Sequence, residues 1–317
     1  MVAKIFIDGE AGTTGLQIRE RLAHRRDLEV ISIAADKRKD LEERKRLLNA
    51  ADIAILCLPD DAAKESVSLI ENDTTRVIDA STAYRVDPNW AYGFAEMDQG
   101  QSEVIANARF VANPGCWPQG LIANVRPLIK AGLLPADYAV NYNGISGYSG
   151  GGKQMIAEYD AAGDEASQFM PYGLTFNHKH VPEMTHYTGL AAAPLFVPTV
   201  GDFAQGMTTF VPLQLSKLEK VPTGKELHAA ITDHFASIKD SFVTVAPFDP
   251  ELGKTSALDP QVHNGTNSMT LHVFANDARA QALLVAVYDN LGKGASGAAV
   301  QNLNLMLGVS GRESLAA

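Results

Sequence analysis

Cysteine is scarce in this chain. There are two in 317 residues, Cys57 and Cys116, far apart in sequence. Two thiols make no disulfide framework, and a chain of this length can bury a core without staples. Reduced thiols and a cytoplasmic location are the expectation. No apolar run reaches the roughly 18 residues a membrane-spanning helix needs. The opening MVAKIFIDGEAG lacks a basic segment leading into an apolar stretch and a small-residue cleavage site, so no export signal is expected. Positive charge is also short, with 27 Lys and Arg against 37 Asp and Glu and a net charge of −10. Phosphate backbones bind basic faces, so nucleic acid is not an expected partner, and neither is a membrane. The local cluster Arg19, Arg21, Arg25, Arg26 reads as the solvated face of a helix. Low-complexity tracts and internal repeats are absent.

What is present suits two domains. Lys4–Asp8 is a short apolar strand that runs into Gly9-Glu10-Ala11-Gly12-Thr13-Thr14-Gly15 and then a helical pattern from Leu16 to about His24. Strand, glycine turn, helix is a layout that aims backbone N–H groups at a pyrophosphate. The G-x-x-G-x-x-G spacing is less diagnostic than G-x-G-x-x-G, and a purely steric tight turn is the alternative. A second strand, Glu29–Ala35, ends at Asp36, about 20 positions beyond the turn, where an acidic residue often meets a ribose diol. Here Lys37, Arg38 and Lys39 follow at once. Such cations suit a ribose 2′-phosphate, which favours NADP over NAD. Ile53–Leu58 and Arg76–Asp79 complete a set of short apolar runs typical of parallel strands buried on both faces, with a helix over Asp61–Glu71 between them. Cys57 falls inside its strand and reads as a packed core thiol.

The chemistry gathers further on. The strand Arg109–Ala112 leads through Asn113-Pro114-Gly115 to Cys116 and an apolar helix over Leu121–Ala131. A cysteine at the turn into a helix meets the positive end of the helix dipole, which lowers a thiol pKa, and the same amides can hold an oxyanion. A thiolate nucleophile needs an acid/base partner. His178 and His180, at i, i+2 in an expected extended stretch, share a face, with Glu183 a short turn away. No third histidine stands at ligand spacing, so no metal is expected. After a strand at Tyr138–Tyr142, the glycine-rich Gly144–Lys153 could cradle a phosphate with its amides or serve as a plain turn. It lacks the P-loop spacing.

These residues, in this order, resemble the N-acetyl-gamma-glutamyl-phosphate reductases of arginine biosynthesis. The matching elements are Gly9–Gly15, Val77–Arg85, Asn113-Pro114-Gly115-Cys116, Ser146-Gly147, His178–Glu183 and Asn290–Asn304. The shorter-chain members look closest, with His-Lys-His replacing the more frequent His-Arg-His. The resemblance implies a Rossmann-like parallel sheet with an inserted α+β catalytic domain, as in the glyceraldehyde-3-phosphate and aspartate-semialdehyde dehydrogenases. Its expected boundaries are 1–115 with 288–317 for the NADP-binding domain and 116–287 for the catalytic and dimerisation domain. It implies Cys116 as nucleophile, His178 or His180 as acid/base and Glu183 beside them. Arg85, Ser146 and Gly147 would meet the substrate. Gly9, Gly12, Thr13, Thr14, Gly15, Lys37, Arg38, Ser81 and Asn290 would meet NADP(H). The expected reaction is reduction of an acyl phosphate to a semialdehyde in a homodimer or homotetramer. Aspartate-semialdehyde dehydrogenase is the nearest rival. A cysteine hydrolase leaves the glycine turn unexplained, and a non-catalytic NADP-sensing module leaves Cys116 idle.

Overall fold

The structure, a computed structural model, describes residues 2–249 and 258–317. The chain forms two compact units, one made of Met1–Ala95, Gly100–Gly115 and Ala295–Ala316, the other of Glu96–Gln99 and Cys116–Gly294 with the terminal Ala317.

The first unit is built on strands β1 (Ala3–Asp8), β2 (Leu28–Ile31), β3 (Ile53–Leu56), β4 (Arg76–Asp79), β5 (Ala91–Tyr92) and β6 (Phe110–Ala112), with helices α1 (Thr13–Leu22), α2 (Leu41–Ala50), α3 (Asp60–Ser68) and α4 (Gln101–Asn107). The six strands lie in the order β2-β1-β3-β4-β6-β5, and every pairing is parallel. Ile and Val dominate because helices cover both faces. Alternation divides β1 between two cores: Ile5 and Ile7 pack with Ile18, Leu22 and Ile55, while Phe6 packs with Leu48, Leu56 and Val77. Since β1 lies between β2 and β3, the chain order reverses there, and ligands of such sheets sit beyond the strand ends at that point. Arg44, buried on α2, reaches Asp8 at the end of β1 at 3.2 Å and Glu65 on α3 at 2.6 Å. The Ser66 hydroxyl donates to the same Asp8 carboxylate at 2.8 Å.

The second unit carries α5 (Cys116–Lys130), β7 (Asn141–Gly147), α6 (Gly152–Ala162), β8 (Phe169–Pro171), α7 (Val181–Thr188), β9 (Leu195–Gly201), β10 (Met207–Gln214), α8 (Gly224–Ala236), β11 (Val243–Val245), β12 (Met269–Asn276) and β13 (Gln281–Tyr288). Its seven strands form a mixed sheet in the order β11-β12-β13-β10-β7-β9-β8, with parallel pairs at β11/β12 and β7/β9. Helix α5 is buried along most of its length. A capping box of Thr223 and Glu226 starts α8.

A π turn at Gly292–Ser296 leads into the last helix, α9 (Gly297–Met306), which belongs to the first unit. Arg25 is the counter-example to a solvated arginine face: it is buried, donates to Asn304 Oδ1 on α9 at 2.7 Å, and pairs with Asp27 at 2.6 Å. Arg21 likewise donates to Ser296 at 3.2 Å. These arginines latch the chain's end to α1 instead of facing water.

Arg44→Ala leaves Asp8 buried with only a hydroxyl for company, and should cost about 3–5 kcal/mol in denaturant unfolding. Asp79, at the buried end of β4, is pushed up to about 6, chiefly by burial and against the hydrogen bonds from Ser81. A raised carboxyl favours the folded state below the unfolded value and penalises it as pH rises through about 6. Asp79→Asn should therefore raise the melting temperature at pH 8, by the equivalent of up to about 3 kcal/mol, and lose that gain near pH 4. A gain independent of pH would contradict this.

Candidate active site

The glycine turn of the first unit is sterically dictated. Gly9 has φ +87°, and a Cβ there would stand 2.4 Å from the carbonyl oxygen of Cys57. A Cβ on Gly15 would meet the Gly9 carbonyl oxygen at 2.6 Å. Gly12 precedes α1 and offers no side-chain cap, so no side chain competes for the first-turn amides. The Thr13 hydroxyl is buried without a hydrogen-bond partner. An uncapped helix start with an orphaned buried hydroxyl fits an anionic group such as a pyrophosphate. Beside it, Glu10 is buried within the turn and gathers Arg19 at 2.8 Å, Ser32 at 3.1 Å and Arg38 at 4.0 Å. Glu10 and Ser32 were not singled out by sequence, because a carboxylate inside a glycine turn carries no motif of its own. Lys37 ends a short 3₁₀ turn on the neighbouring surface.

Past β4, the Ser81 hydroxyl donates to Asp79 at 2.6 Å and accepts the Ala83 N–H at 3.1 Å. Arg85 is buried and donates to the carbonyls of Asn113 at 3.0 Å and Ala80 at 3.1 Å. Its guanidinium therefore ties together the ends of β4 and β6. Cys57 lies just beyond β3, with burial, then Asp79 and Asp8, carrying its thiol up to about 12.

In the second unit, Cys116 is the first residue of α5 and is partly exposed. Trp117 packs edge-on against Tyr142 and Phe196, and its indole N–H donates to Tyr172 at 3.1 Å. Burial, then the charge of nearby Cys116, pushes the Tyr172 phenol well above its ordinary range. The same aromatic shell holds the histidines, since His178 meets Phe196 at 5.3 Å and Tyr172 at 5.9 Å between ring centroids. His178 and His180 rings stand 4.7 Å apart. They are not on an extended stretch: Phe176 has φ +60°, and His180 is the residue before α7, on which Glu183 is buried. The backbone turns because the helix begins at Val181-Pro182, where proline fits the first turn. His178 Nδ1 accepts the His180 N–H at 3.2 Å.

The glycine-rich stretch is likewise not a loop at its start. Ser146 and Gly147 lie in β7, later than the expected strand at Tyr138–Tyr142. Glycines there permit close strand approach: a Cβ on Gly144 would meet the Thr208 carbonyl oxygen at 2.4 Å, and one on Gly147 the Ala204 carbonyl oxygen at 2.6 Å. The amides of Gly147, Tyr148 and Ser149 donate to Gly206, Phe203 and Ala204. These three amides are engaged within the second unit. Asn290 is equally committed, accepting the Gly206 N–H at 2.8 Å and donating to Ser149 at 3.1 Å.

Lys293, in the π turn, forms a fully buried 2.6 Å ion pair with Glu96. Its carbonyl accepts from Gln119 on α5 at 2.8 Å, and a Cβ on adjacent Gly294 would stand 2.9 Å from Cys116 Cβ. Among the described residues no group of three or more His, Cys, Asp or Glu side chains is placed to hold a metal ion, and no helix is long and apolar enough to cross a membrane.

Comparison with known proteins agrees with this layout. Residues 4–107 match the semialdehyde dehydrogenase NAD-binding domain, and residues 116–290 match the semialdehyde dehydrogenase dimerisation domain. The N-acetyl-gamma-glutamyl-phosphate reductase of Chelativorans sp. strain BNC1 is 67% identical over 97% of this chain and 99% of that protein. The enzyme of that name from Mesorhizobium japonicum is 66% identical over 98% of this chain and all of that protein. Aspartate semialdehyde dehydrogenase II from Vibrio cholerae has the same fold, with a TM-score of 0.72 at 15% identity, covering 97% of this chain and 99% of that one. The chain belongs to the semialdehyde dehydrogenase family and, within it, to the N-acetyl-gamma-glutamyl-phosphate reductases, which take a nicotinamide cofactor.

Proposed function

We propose that this chain reduces N-acetyl-glutamyl 5-phosphate to N-acetyl-glutamate 5-semialdehyde, with NADPH as reductant and Cys116 as the covalent centre. The observation that carries the reading is a partly exposed cysteine opening a buried helix, in a chain whose near-full-length relatives bear that enzyme's name. The Cys116 thiolate attacks the acyl carbon, the C–O bond to phosphate breaks, and inorganic phosphate leaves with its electron pair. The resulting thioester keeps its carbonyl at the start of α5, where the helix dipole favours a developing oxyanion. When bound, the nicotinamide supplies the hydride that reduces this thioester. Collapse of the thiohemiacetal breaks the C–S bond, regenerates the thiolate and releases the aldehyde. His178 or His180 handles the proton at the oxygen, with Glu183 orienting the pair.

The cofactor's pyrophosphate is assigned to the Gly9, Gly12, Thr13, Thr14, Gly15 turn, with Ser81 beyond the end of β4. The 2′-phosphate is assigned to Arg38 and Lys37, with Arg19 joining through Glu10. Asn290, Ser146 and Gly147 support the site through backbone placement, and Arg85 does so through the Asn113 carbonyl ahead of Cys116. Assembly into a homodimer or homotetramer through the second unit, and a cytoplasmic location, belong to the same reading. Exposed Phe169 and Leu195 on β8 and β9 supply apolar surface for such contact.

Cys116→Ser should abolish NADPH oxidation driven by N-acetyl-glutamyl phosphate while leaving NADPH binding by fluorescence unchanged; retained turnover would falsify the assignment. Aspartyl phosphate should be turned over far more slowly by the unaltered enzyme, and equal rates would favour the rival substrate. Arg38→Ala should raise the KM for NADPH about tenfold and leave that for NADH within about twofold. Equal losses with both reductants would remove Arg38 from the 2′-phosphate site.

A further inference from the structure

Two phenols meet the first turn of α5 from beneath. Tyr142 comes from β7 and Tyr288 ends β13, the strands on either side of β10. Tyr288 Oη accepts the Gly120 N–H at 3.2 Å and donates to the Cys116 carbonyl at 2.7 Å. One hydroxyl thus spans the i and i+4 backbone groups that define the first helical turn. Tyr142 repeats the arrangement one residue along: its hydroxyl donates to the Trp117 carbonyl at 2.6 Å and faces the Leu121 N–H. The two hydroxyls also face each other. Space for them exists only because residue 120 is glycine. A Cβ there would stand 2.8 Å from Tyr288 Oη and 3.0 Å from Tyr142 Oη.

A buried phenol needs a partner, but any carbonyl of the sheet would do. These two instead take consecutive i, i+4 pairs, beginning at the residue that bears the sulfur. The carbonyl of Cys116 is a fixed negative dipole end within a few bonds of Sγ. A donor aimed at it draws that charge away from a thiolate and pins the Cα that aims the sulfur. Both phenols are fully buried, and burial holds their pKa values far above the ordinary phenol range, so they remain donors at every working pH.

We propose that Tyr288 and Tyr142 are positioning residues for Cys116, bracing the first two backbone links of α5 so that the sulfur is held as a thiolate in its attacking position. This rests on the reading of Cys116 as the nucleophile. The test is alkylation of the full chain by iodoacetamide across pH, followed by peptide mapping at Cys116, alongside steady-state kinetics of Tyr288→Phe and Tyr142→Phe. Tyr288→Phe should lower kcat about tenfold, shift the alkylation midpoint at Cys116 to higher pH, and leave both KM values within about twofold. Tyr142→Phe, one link further from the sulfur, should move the same readouts in the same direction by less. An unchanged alkylation profile and kcat in both variants overturns the proposal, as does a loss confined to KM. If Tyr288→Phe fails to fold, Tyr142→Phe carries the test alone. If alkylating Cys116 in the unaltered enzyme leaves NADPH turnover intact, the nucleophile reading fails and the bracing role goes with it.

Discussion

The wall behind Cys116 depends on one ion pair sealed from water. Lys293 and Glu96 lie 197 positions apart and meet at 2.6 Å with almost no exposure. Desolvating two charges costs several kcal/mol each, and the attraction offsets this only when the remaining polar atoms are also satisfied. Glu96 also accepts the Phe242 N–H at 3.1 Å. The pair therefore adds little net stability while forbidding any slippage of the segments that carry it. Its carbonyl end holds Gln119 on α5, and Gly294 follows directly against Cys116. Lys293 lies fully buried within the wider i→i+5 turn at Gly292–Ser296. Removing either charge would strand the other beside α5.

The first unit was legible because its rules are local. Parallel strands announce themselves as Ile- and Val-rich runs, and Gly9 and Gly15 stand where backbone passes within 2.4 to 2.6 Å of a missing Cβ. The second unit yielded less. Strand β13, Gln281–Tyr288, is an uninterrupted apolar run that periodicity cannot tell from a buried helix segment. Ser146 and Gly147 read as loop because glycine usually marks turns, yet here Gly144 and Gly147 serve close strand contact. His178 and His180 read as extended from their spacing. Their rings do lie together, but through a turn that Phe176, at φ +60°, makes possible. Long-range partners such as Arg25 with Asn304 leave no trace in local sequence at all.

The two thiols show why position outweighs residue type. Cys57 follows a buried strand close to two carboxylates, and its proton is held to about 12. Cys116 opens a helix, where dipole and amides favour the opposite charge state. No motif search on cysteine alone separates them. What separates them is the element each one joins: both are partly exposed, but Cys57 follows the end of a buried strand, whereas Asn113-Pro114-Gly115 delivers Cys116 to the start of a helix.

A division of labour follows from the chemistry of the surrounding rings. The groups that brace Cys116 are phenols, whose burial keeps them protonated, so their hydrogen bonds do not change as substrate charge comes and goes. In the mechanism proposed above, the groups that move protons are the two imidazoles. His178 also accepts the His180 backbone N–H at Nδ1, a bond that orients its ring. Exchanging the two types would fail in both places. An imidazole under α5 would lose its geometry on each change of charge, and a phenol in the turn before α7 would hold its proton too tightly to pass it on.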